Sequence, residues 1–105
     1  MIGETGVKLD KNGYSPSIMQ QEDVCIFCNT TLYLQRHEIF HGYANRHKSK
    51  EFGLWVHVCP TCHFKIHHTD GELDLTLKKI GQETAMEYYA WDTDEFRRKF
   101  GRNYL

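Results

Sequence analysis

Cys25-Ile-Phe-Cys28 opens the stretch of sequence that decides the fold of this 105-residue chain, and Cys59-Pro-Thr-Cys62-His63-Phe-Lys-Ile-His67 closes it. Each CxxC turn brings two thiolates close enough to bind one metal ion, and two such turns supply the four ligands of a tetrahedral zinc site. The pairs therefore predict a structural Zn²⁺ whose binding contributes to folding, with the ligands Cys25, Cys28, Cys59 and Cys62. The alternatives are a redox-active pair or a simply buried pair, but the βαβ pattern of a thiol–disulfide oxidoreductase is missing from the sequence.

A second group of possible metal ligands lies within this stretch. His63 and His67 are four residues apart on a predicted helix, so both imidazoles face the same side. Two such nitrogens bind a cation when a third ligand comes from elsewhere, and His37-Glu38, at the end of a predicted strand, supplies the missing polar groups. The alternatives are surface histidines, or a zinc site in which His63 replaces a cysteine. His68 faces another side of the helix.

The patterns of the chain predict an α+β domain with the order strand, loop, strand, helix. β-Forming residues at 30–40 predict a strand that ends near His37 or Glu38, and the apolar run 54–58 predicts a second one. Residues 42–53 are polar and bounded by glycines, which indicates a connection. Helices are predicted at 60–68, at 74–89, where Gly81 weakens the pattern, and at 93–100, where Gly101 ends it. We divide this compact domain into an N-terminal arm (1–24), a zinc-bound core (25–70) and a C-terminal helical extension (71–105).

Composition and charge limit the classes of protein to which the chain can belong. Hydrophobic residues make up 40% of the chain and charged residues 26%, and the formal net charge is −1, so the protein as a whole is not a basic nucleic-acid binder. No signal peptide and no membrane-spanning run is apparent, which predicts a cytoplasmic protein without a membrane partner. One local basic cluster beside the histidines is a candidate phosphate-facing surface, formed by Arg36, Arg46, Lys48 and Lys50.

Several short motifs together resemble the HNH endonucleases, and in particular the small members of that family encoded by bacteriophages and prophages. The resemblance rests on residues 25–68: His37-Glu-Ile-Phe-His-Gly42, Ala44-Asn45-Arg46, Ser49, and Gly53-Leu-Trp-Val-His-Val-Cys-Pro-Thr-Cys-His63 with His67. It implies a zinc-stabilised ββα-metal (His-Me finger) fold with C-terminal helices, and hydrolysis of DNA phosphodiester bonds. It also implies a second divalent cation (Mg²⁺, Mn²⁺, Ni²⁺ or Zn²⁺), DNA and other phage proteins as partners, and a phage or prophage gene expressed in a bacterial cytoplasm. Oligomeric state stays open.

The same resemblance assigns roles to individual residues. Asn45 matches the loop asparagine that orients the base, and His63 and His67 match the helix ligands of the catalytic ion. Family members have two polar residues in tandem at the strand end, which places His37 as a ligand and Glu38 as the general base; a shifted assignment exchanges the two roles. A third possibility is an inactive zinc module that binds nucleic acid or a phage protein. His41 and His47 fall outside the motif and are expected at the surface.

Overall fold

Residues 2–105 are the part of the chain that the computed structural model describes, and they contain two short strands and four helices. In chain order the elements are β1 (Gln35–Glu38), α1 (Arg46–Glu51), β2 (Trp55–Val58), α2 (Pro60–Phe64), α3 (Gly71–Tyr89) and α4 (Thr93–Phe100). A π-helical turn, Lys65–Thr69, continues α2. The predicted α+β class is confirmed. Among the helices of residues 2–105, none combines the length and the apolar composition that crossing a bilayer demands.

The two strands form an antiparallel pair, and part of the N-terminal arm packs against β2. Gln35 pairs with Val58 and Glu38 with Trp55, so β1 ends where β2 begins. The Ser17 hydroxyl donates a hydrogen bond to the Trp55 carbonyl at 2.6 Å, and the Trp55 indole N–H donates to the Ser15 carbonyl at 2.8 Å. These bonds attach the N-terminal segment to β2.

Helix α2 begins directly after Cys59, the first cysteine of the second CxxC pair. The Cys59 sulfur accepts a hydrogen bond from the Cys62 N–H at 3.5 Å, and Pro60 occupies a first-turn position where no N–H is needed. The helix was predicted to reach residue 68, but its α-helical part ends at Phe64 and the wider π-helical turn follows. The Asp70 carboxylate then accepts hydrogen bonds from free backbone N–H groups in the first turn of α3.

The polar segment 42–53 is not the simple connection that its composition predicts, because it contains helix α1. The fully buried Ser49 attaches this helix to the chain after β1. Its hydroxyl accepts a hydrogen bond from the Phe40 N–H at 3.0 Å and donates one to the Phe40 carbonyl at 2.9 Å. A short helix held by hydrogen bonds to distant parts of the chain lacks the apolar periodicity that would predict it.

Helix α3 continues through Gly81 without a break, and it begins three residues earlier than predicted. Gly81 is buried against Ile39, and a methyl group at Gly81 would lie 2.9 Å from the Ile39 Cγ2 atom. The glycine therefore allows α3 to pack closely against the core instead of marking a bend. Helix α4 has its predicted limits, with Asp92 at its start and Gly101 at φ 82° after its end.

The core lies between the strand pair and the C-terminal helices. Phe40 is its central aromatic residue, with ring centroids 5.2 Å from Phe96 and 4.7 Å from Phe100. Ile39, Leu54, Val56 and Phe96 are almost fully buried around it. Helices α3 and α4 thus anchor the segment that follows β1, which matters because the candidate site lies at the end of that strand.

Gly53 lies against the backbone of the N-terminal arm, so a substitution there tests how closely the arm packs on the core. Its φ of 72° disfavours a side chain, and a Cβ atom there would lie 2.5 Å from the Pro16 carbonyl oxygen. We expect Gly53→Ala to lower the free energy of unfolding by about 2–4 kcal/mol, as the sum of left-handed strain and the clash with backbone. Urea denaturation measures the effect. Gly101→Ala is the matched control, because φ there is 82° but no atom of residues 2–105 would lie within 4 Å of the added Cβ; an equal loss in both variants would contradict the predicted clash.

Candidate metal centres

The four cysteines come together in one cluster, as their spacing predicts. Their sulfur atoms all lie within 4.8 Å of one another, and the Cys28 and Cys59 sulfurs are 3.7 Å apart. A disulfide would bring two sulfurs to about 2.05 Å. Sulfurs that surround an ion at about 2.3 Å in a tetrahedron are about 3.8 Å apart. The cluster therefore has the dimensions of a four-thiolate site that binds a metal such as zinc.

The backbone around this cluster favours a thiolate at Cys25. Burial opposes ionisation of that thiol, but hydrogen bonds from the backbone N–H groups of Cys59, Cys28 and Phe27 outweigh burial and lower the pKa of Cys25 to about 6. Burial, then contacts with the Cys59 and Cys25 sulfurs, raises the pKa of Cys62 to about 12. Several thiolates in one place repel one another, and a bound divalent cation removes that repulsion. The electrostatics fit a metal site.

Three histidines form a second cluster at the end of β1. His37 comes from β1, His63 from α2 and His67 from the π-helical turn. One ligand atom from each lies within 4.8 Å of the other two, and the Nε2 atoms of His63 and His67 are 3.1 Å apart. Two nitrogens at about 2.1 Å from one ion are between about 3 and 4.2 Å apart. The three imidazoles face a cavity of about 80 Å³ and have the spacing of ligands to one cation.

His37 is the most deeply buried member of the cluster. Only 2% of the residue is exposed, and its Nε2 atom has no hydrogen-bond partner within residues 2–105. Burial, followed by the nearby charges of His63, His67 and His41, lowers the pKa of His37 to about 3. The ring is therefore neutral near pH 7 and has a lone pair available. A buried polar atom without a partner is costly, and a bound cation would satisfy it.

Gln35 orients one of the other two rings. The His63 Nδ1–H group donates to the Gln35 Oε1 atom at 2.6 Å, which leaves the Nε2 lone pair directed towards His67. Hydrogen bonds of this kind fix the tautomer of metal-binding histidines. Burial lowers the pKa values of both His63 and His67, so that both rings are neutral at neutral pH.

Glu38 and two arginines line the same cavity. The Glu38 carboxylate, 7% exposed, accepts a hydrogen bond from the Tyr14 hydroxyl at 2.8 Å and another from Arg46 at 3.3 Å. Burial, reinforced by Glu38, raises the pKa of Tyr14, so the phenol keeps its proton. Arg36 pairs with Asp10 at 2.8 Å and lies over the Tyr14 ring. The cavity thus combines neutral imidazoles with one carboxylate and two guanidinium groups.

Three predicted site residues do not reach the cavity. The Asn45 side-chain amide donates to the Phe100 carbonyl at 3.1 Å, which links α1 to the end of α4. The Lys48 ammonium donates to the Lys99 carbonyl at 2.7 Å, and that of Lys50 is 3.5 Å from the Asn12 carbonyl. Of the four predicted phosphate contacts, Arg36 and Arg46 line the cavity, while Lys48 and Lys50 do not.

His41 and Asp74 belong to this site although no motif singles them out. His41 was expected at the surface, but it lines the cavity, and its ring centroid is 5.2 Å from that of His67. Its Nε2–H group donates to Asp74 on α3 at 3.0 Å. Burial opposes ionisation of Asp74, but Lys78 and His41 outweigh it and lower the pKa of that carboxyl group. His47 is exposed, as expected. The one available signal was the presence of His41 in the same histidine-rich segment.

Comparison of the chain with protein-family models, with curated proteins and with solved structures finds no match. The geometry of the two clusters therefore stands as the basis for assigning a function.

Proposed function

We propose that the protein is a metal-dependent endonuclease of the HNH type, with a ββα-metal core, that hydrolyses phosphodiester bonds in DNA. The observation that supports it best is the convergence of His37, His63 and His67 on one cavity that also contains Glu38 and two arginines. The chain order β1, β2, α2 agrees with the proposal, because one ligand lies near the end of the first strand and the other two lie on the helical segment. The four-cysteine cluster holds structural zinc in this proposal.

The histidine cluster suits a divalent cation because its donors are neutral and one of them, the His37 Nε2 atom, has no hydrogen-bond partner in the described part of the chain. His37, His63 and His67 would be the ligands. When bound, the ion polarises the scissile phosphate and stabilises negative charge on the leaving 3′ oxygen. Gln35 keeps the His63 ring in the tautomer that this role requires.

The remaining cavity residues match the other needs of the reaction. Arg36 and Arg46 neutralise the phosphate oxygens, and Arg46 is already oriented by Glu38. Glu38 accepts the proton of the attacking water as the oxygen–phosphorus bond forms and the bond to the 3′ oxygen breaks. Among the cavity residues Glu38 is the one carboxylate, which is why it receives this role in place of His37. Asn45 acts on the fold, through Phe100, in this proposal.

The hydrogen bonds of Glu38 also favour a second candidate function. A carboxylate that accepts from both Tyr14 and Arg46 has a structural role that needs no catalysis. The same fold would then be a zinc module that binds nucleic acid or a phage protein without cutting it. Metal stoichiometry separates the two candidates: a silent module holds one zinc that His63→Ala does not affect, whereas the nuclease holds a second ion that this variant loses.

Cleavage of supercoiled plasmid DNA tests the proposed activity. We expect nicking with at least one of Mg²⁺, Mn²⁺, Ni²⁺ and Zn²⁺, and a decrease in rate of about 10²–10⁴-fold in Glu38→Gln, since a general base contributes that much. His67→Ala should lose activity to a similar extent because it removes a ligand. Exposed Glu22 and His47 provide matched controls, and Glu22→Gln and His47→Ala should cleave like the unmodified protein. Absence of cleavage with every metal, or full activity in His67→Ala, would exclude the proposal.

A further inference from the structure

Tyr14, on the N-terminal arm, contacts the proposed general base although it lies 24 positions before it in the sequence. Its hydroxyl donates a hydrogen bond to the Glu38 Oε2 atom at 2.8 Å. Arg46 donates to the other carboxylate oxygen, Oε1, at the longer distance of 3.3 Å. Hydrogen bonds of good geometry between a charged N–H group and a carboxylate are about 2.7–2.9 Å long. The two oxygens of Glu38 are therefore held unequally, Oε2 firmly and Oε1 loosely.

Contacts on both sides of Tyr14 fix its place against the cavity. The Asp10 carboxylate accepts a hydrogen bond from the Tyr14 backbone N–H at 3.0 Å and another from Arg36 on β1 at 2.8 Å. The carbonyl of the next residue, Ser15, accepts from the Trp55 indole N–H at 2.8 Å. The Arg36 guanidinium lies 4.3 Å from the centroid of the Tyr14 ring, and the Trp55 ring packs edge to face against it at 5.4 Å. Backbone and ring are thus held by contacts that do not involve the hydroxyl.

A fixed donor at Oε2 matters because a general base needs a defined orientation. Glutamate has several rotatable side-chain bonds, and proton transfer requires an oxygen about 2.6–3.2 Å from the group that gives up the proton. A hydrogen bond to Oε2 from a fixed hydroxyl limits rotation of the carboxylate and leaves lone pairs on Oε1. Oε1 contacts Arg46, which lines the cavity, and the Arg46 side chain is 55% exposed, so it has room to turn towards a phosphate.

We propose that Tyr14 is a positioning residue for the nuclease reaction, and that its hydroxyl holds Glu38 through Oε2 so that Oε1 receives the proton of the attacking water. The inference rests on the proposed function and gives the N-terminal arm a part in the same site. When a phosphate draws Arg46 away, Oε1 loses its competing donor, whereas Oε2 stays bonded to Tyr14. In this arrangement the hydroxyl acts through Glu38 and not on the DNA or the metal ion.

Plasmid nicking by Tyr14→Phe, measured over a range of DNA concentrations with the metal that supports cleavage, tests the proposal. The substitution removes the hydroxyl and keeps the ring that packs against Arg36 and Trp55. We expect kcat to fall about 10–100-fold with KM unchanged, since misplacement of a catalytic group by about 1 Å costs as much as 100-fold. Tyr89→Phe is the matched control. It also loses one partly buried hydrogen bond, from its hydroxyl to the Phe52 carbonyl at 2.7 Å, but its kcat should be unchanged.

A double variant separates positioning from a structural role. If Tyr14 acts through Glu38, Tyr14→Phe should lower kcat by less than about 2-fold when Glu38→Gln is already present. The same 10–100-fold loss with and without Glu38→Gln, or an equal loss in Tyr14→Phe and Tyr89→Phe, would overturn the inference. A raised KM with unchanged kcat would also overturn it, because Tyr14 would then contribute to DNA binding.

Crystal structures of the two tyrosine variants provide a measurement that needs no activity. We expect Glu38 to occupy more than one conformation in Tyr14→Phe and a single conformation in Tyr89→Phe. A single, unchanged Glu38 conformation in Tyr14→Phe would show that other contacts orient the carboxylate, and it would overturn the inference. The two proposals fail in distinguishable ways. If the unmodified protein cleaves no DNA with any metal, both are excluded, whereas equal cleavage by the unmodified protein and Tyr14→Phe excludes only the role of Tyr14.

Discussion

Cys28→Ser should unfold the protein, although Cys28 is an exposed residue and serine has nearly the same shape. Substitutions at exposed positions that have no special role usually change the free energy of unfolding by less than about 0.5 kcal/mol. In the proposed zinc site Cys28 is one of four ligands, and structural zinc contributes about 10–16 kcal/mol in small domains. That exceeds the total stability of many domains, which is about 5–15 kcal/mol.

The position of the cysteine cluster explains why its loss would affect the whole chain. Cys25 and Cys28 precede β1, whereas Cys59 and Cys62 begin α2, so that the ion is a cross-link between the two ends of the core. Cys59 also provides the cap on which α2 begins. The protein is short and its strands have only four residues each, so few other contacts replace that link.

Circular dichroism of Cys28→Ser, compared with the unmodified protein before and after treatment with a strong zinc chelator, measures the effect. We expect the helical signal to fall to the same low value in the variant and in the chelated protein, and bound zinc to fall from one ion per cluster to less than a tenth. Thr31→Ala, at a nearby exposed position, should keep its zinc and its spectrum. A folded, cooperative Cys28→Ser protein without zinc would show that the cluster does not hold the fold.

The contacts that sequence predicts correctly are those set by short spacing. Each CxxC turn places two sulfurs together, and the four-residue step from His63 to His67 places two imidazoles on one side. The α-helix ends at Phe64, but the π-helical turn still directs His67 to His63. Local geometry was therefore enough for these residues, even where the predicted type of helix was wrong.

The contacts that sequence misses depend on packing between distant elements. His41 and Asp74 are separated by 33 positions, and they meet because Gly81 lets α3 lie against Ile39. Asn45 is the opposite case. The motif predicts that it lies in the site, but in the fold its amide donates to the carbonyl of Phe100. Neither outcome follows from periodicity or turn chemistry. Both follow from how the C-terminal helices pack on the core.

His37→Leu should stabilise the protein when the histidine cluster is free of metal. The buried Nε2 atom lacks a hydrogen-bond partner within residues 2–105, and removing an unsatisfied buried polar group recovers about 1–3 kcal/mol of unfolding free energy. The pH dependence has a definite sign. The pKa of His37 is about 3 in the folded chain and 6.5 when the chain is unfolded. Between these values the unfolded state binds the extra proton, so His37 lowers the stability of the unmodified protein as pH falls below 6.5, by up to about 1.4 kcal/mol per pH unit, and the variant lacks this contribution.

Addition of metal should reverse the order of the two proteins. An ion that binds only the folded state adds about 2.7 kcal/mol when its concentration is about 100 times the dissociation constant. The unmodified protein gains this amount, but His37→Leu has lost a ligand and gains little. Urea denaturation at pH 7 in a mild chelator measures the difference in metal-free stability. The same measurement with Ni²⁺ gives the stabilisation by metal, and its repetition in the chelator at pH 5.5 gives the pH dependence. The zinc cluster is common to both proteins, so it cancels in the difference.

A variant that is less stable than the unmodified protein in the chelator would show that His37 has a partner of its own in the folded chain. A variant that gains as much from Ni²⁺ as the unmodified protein would place the cation elsewhere. Reversal of the order, together with loss of DNA cleavage in His37→Leu, would mean that this buried histidine is kept for the ion at the expense of the stability of the metal-free fold.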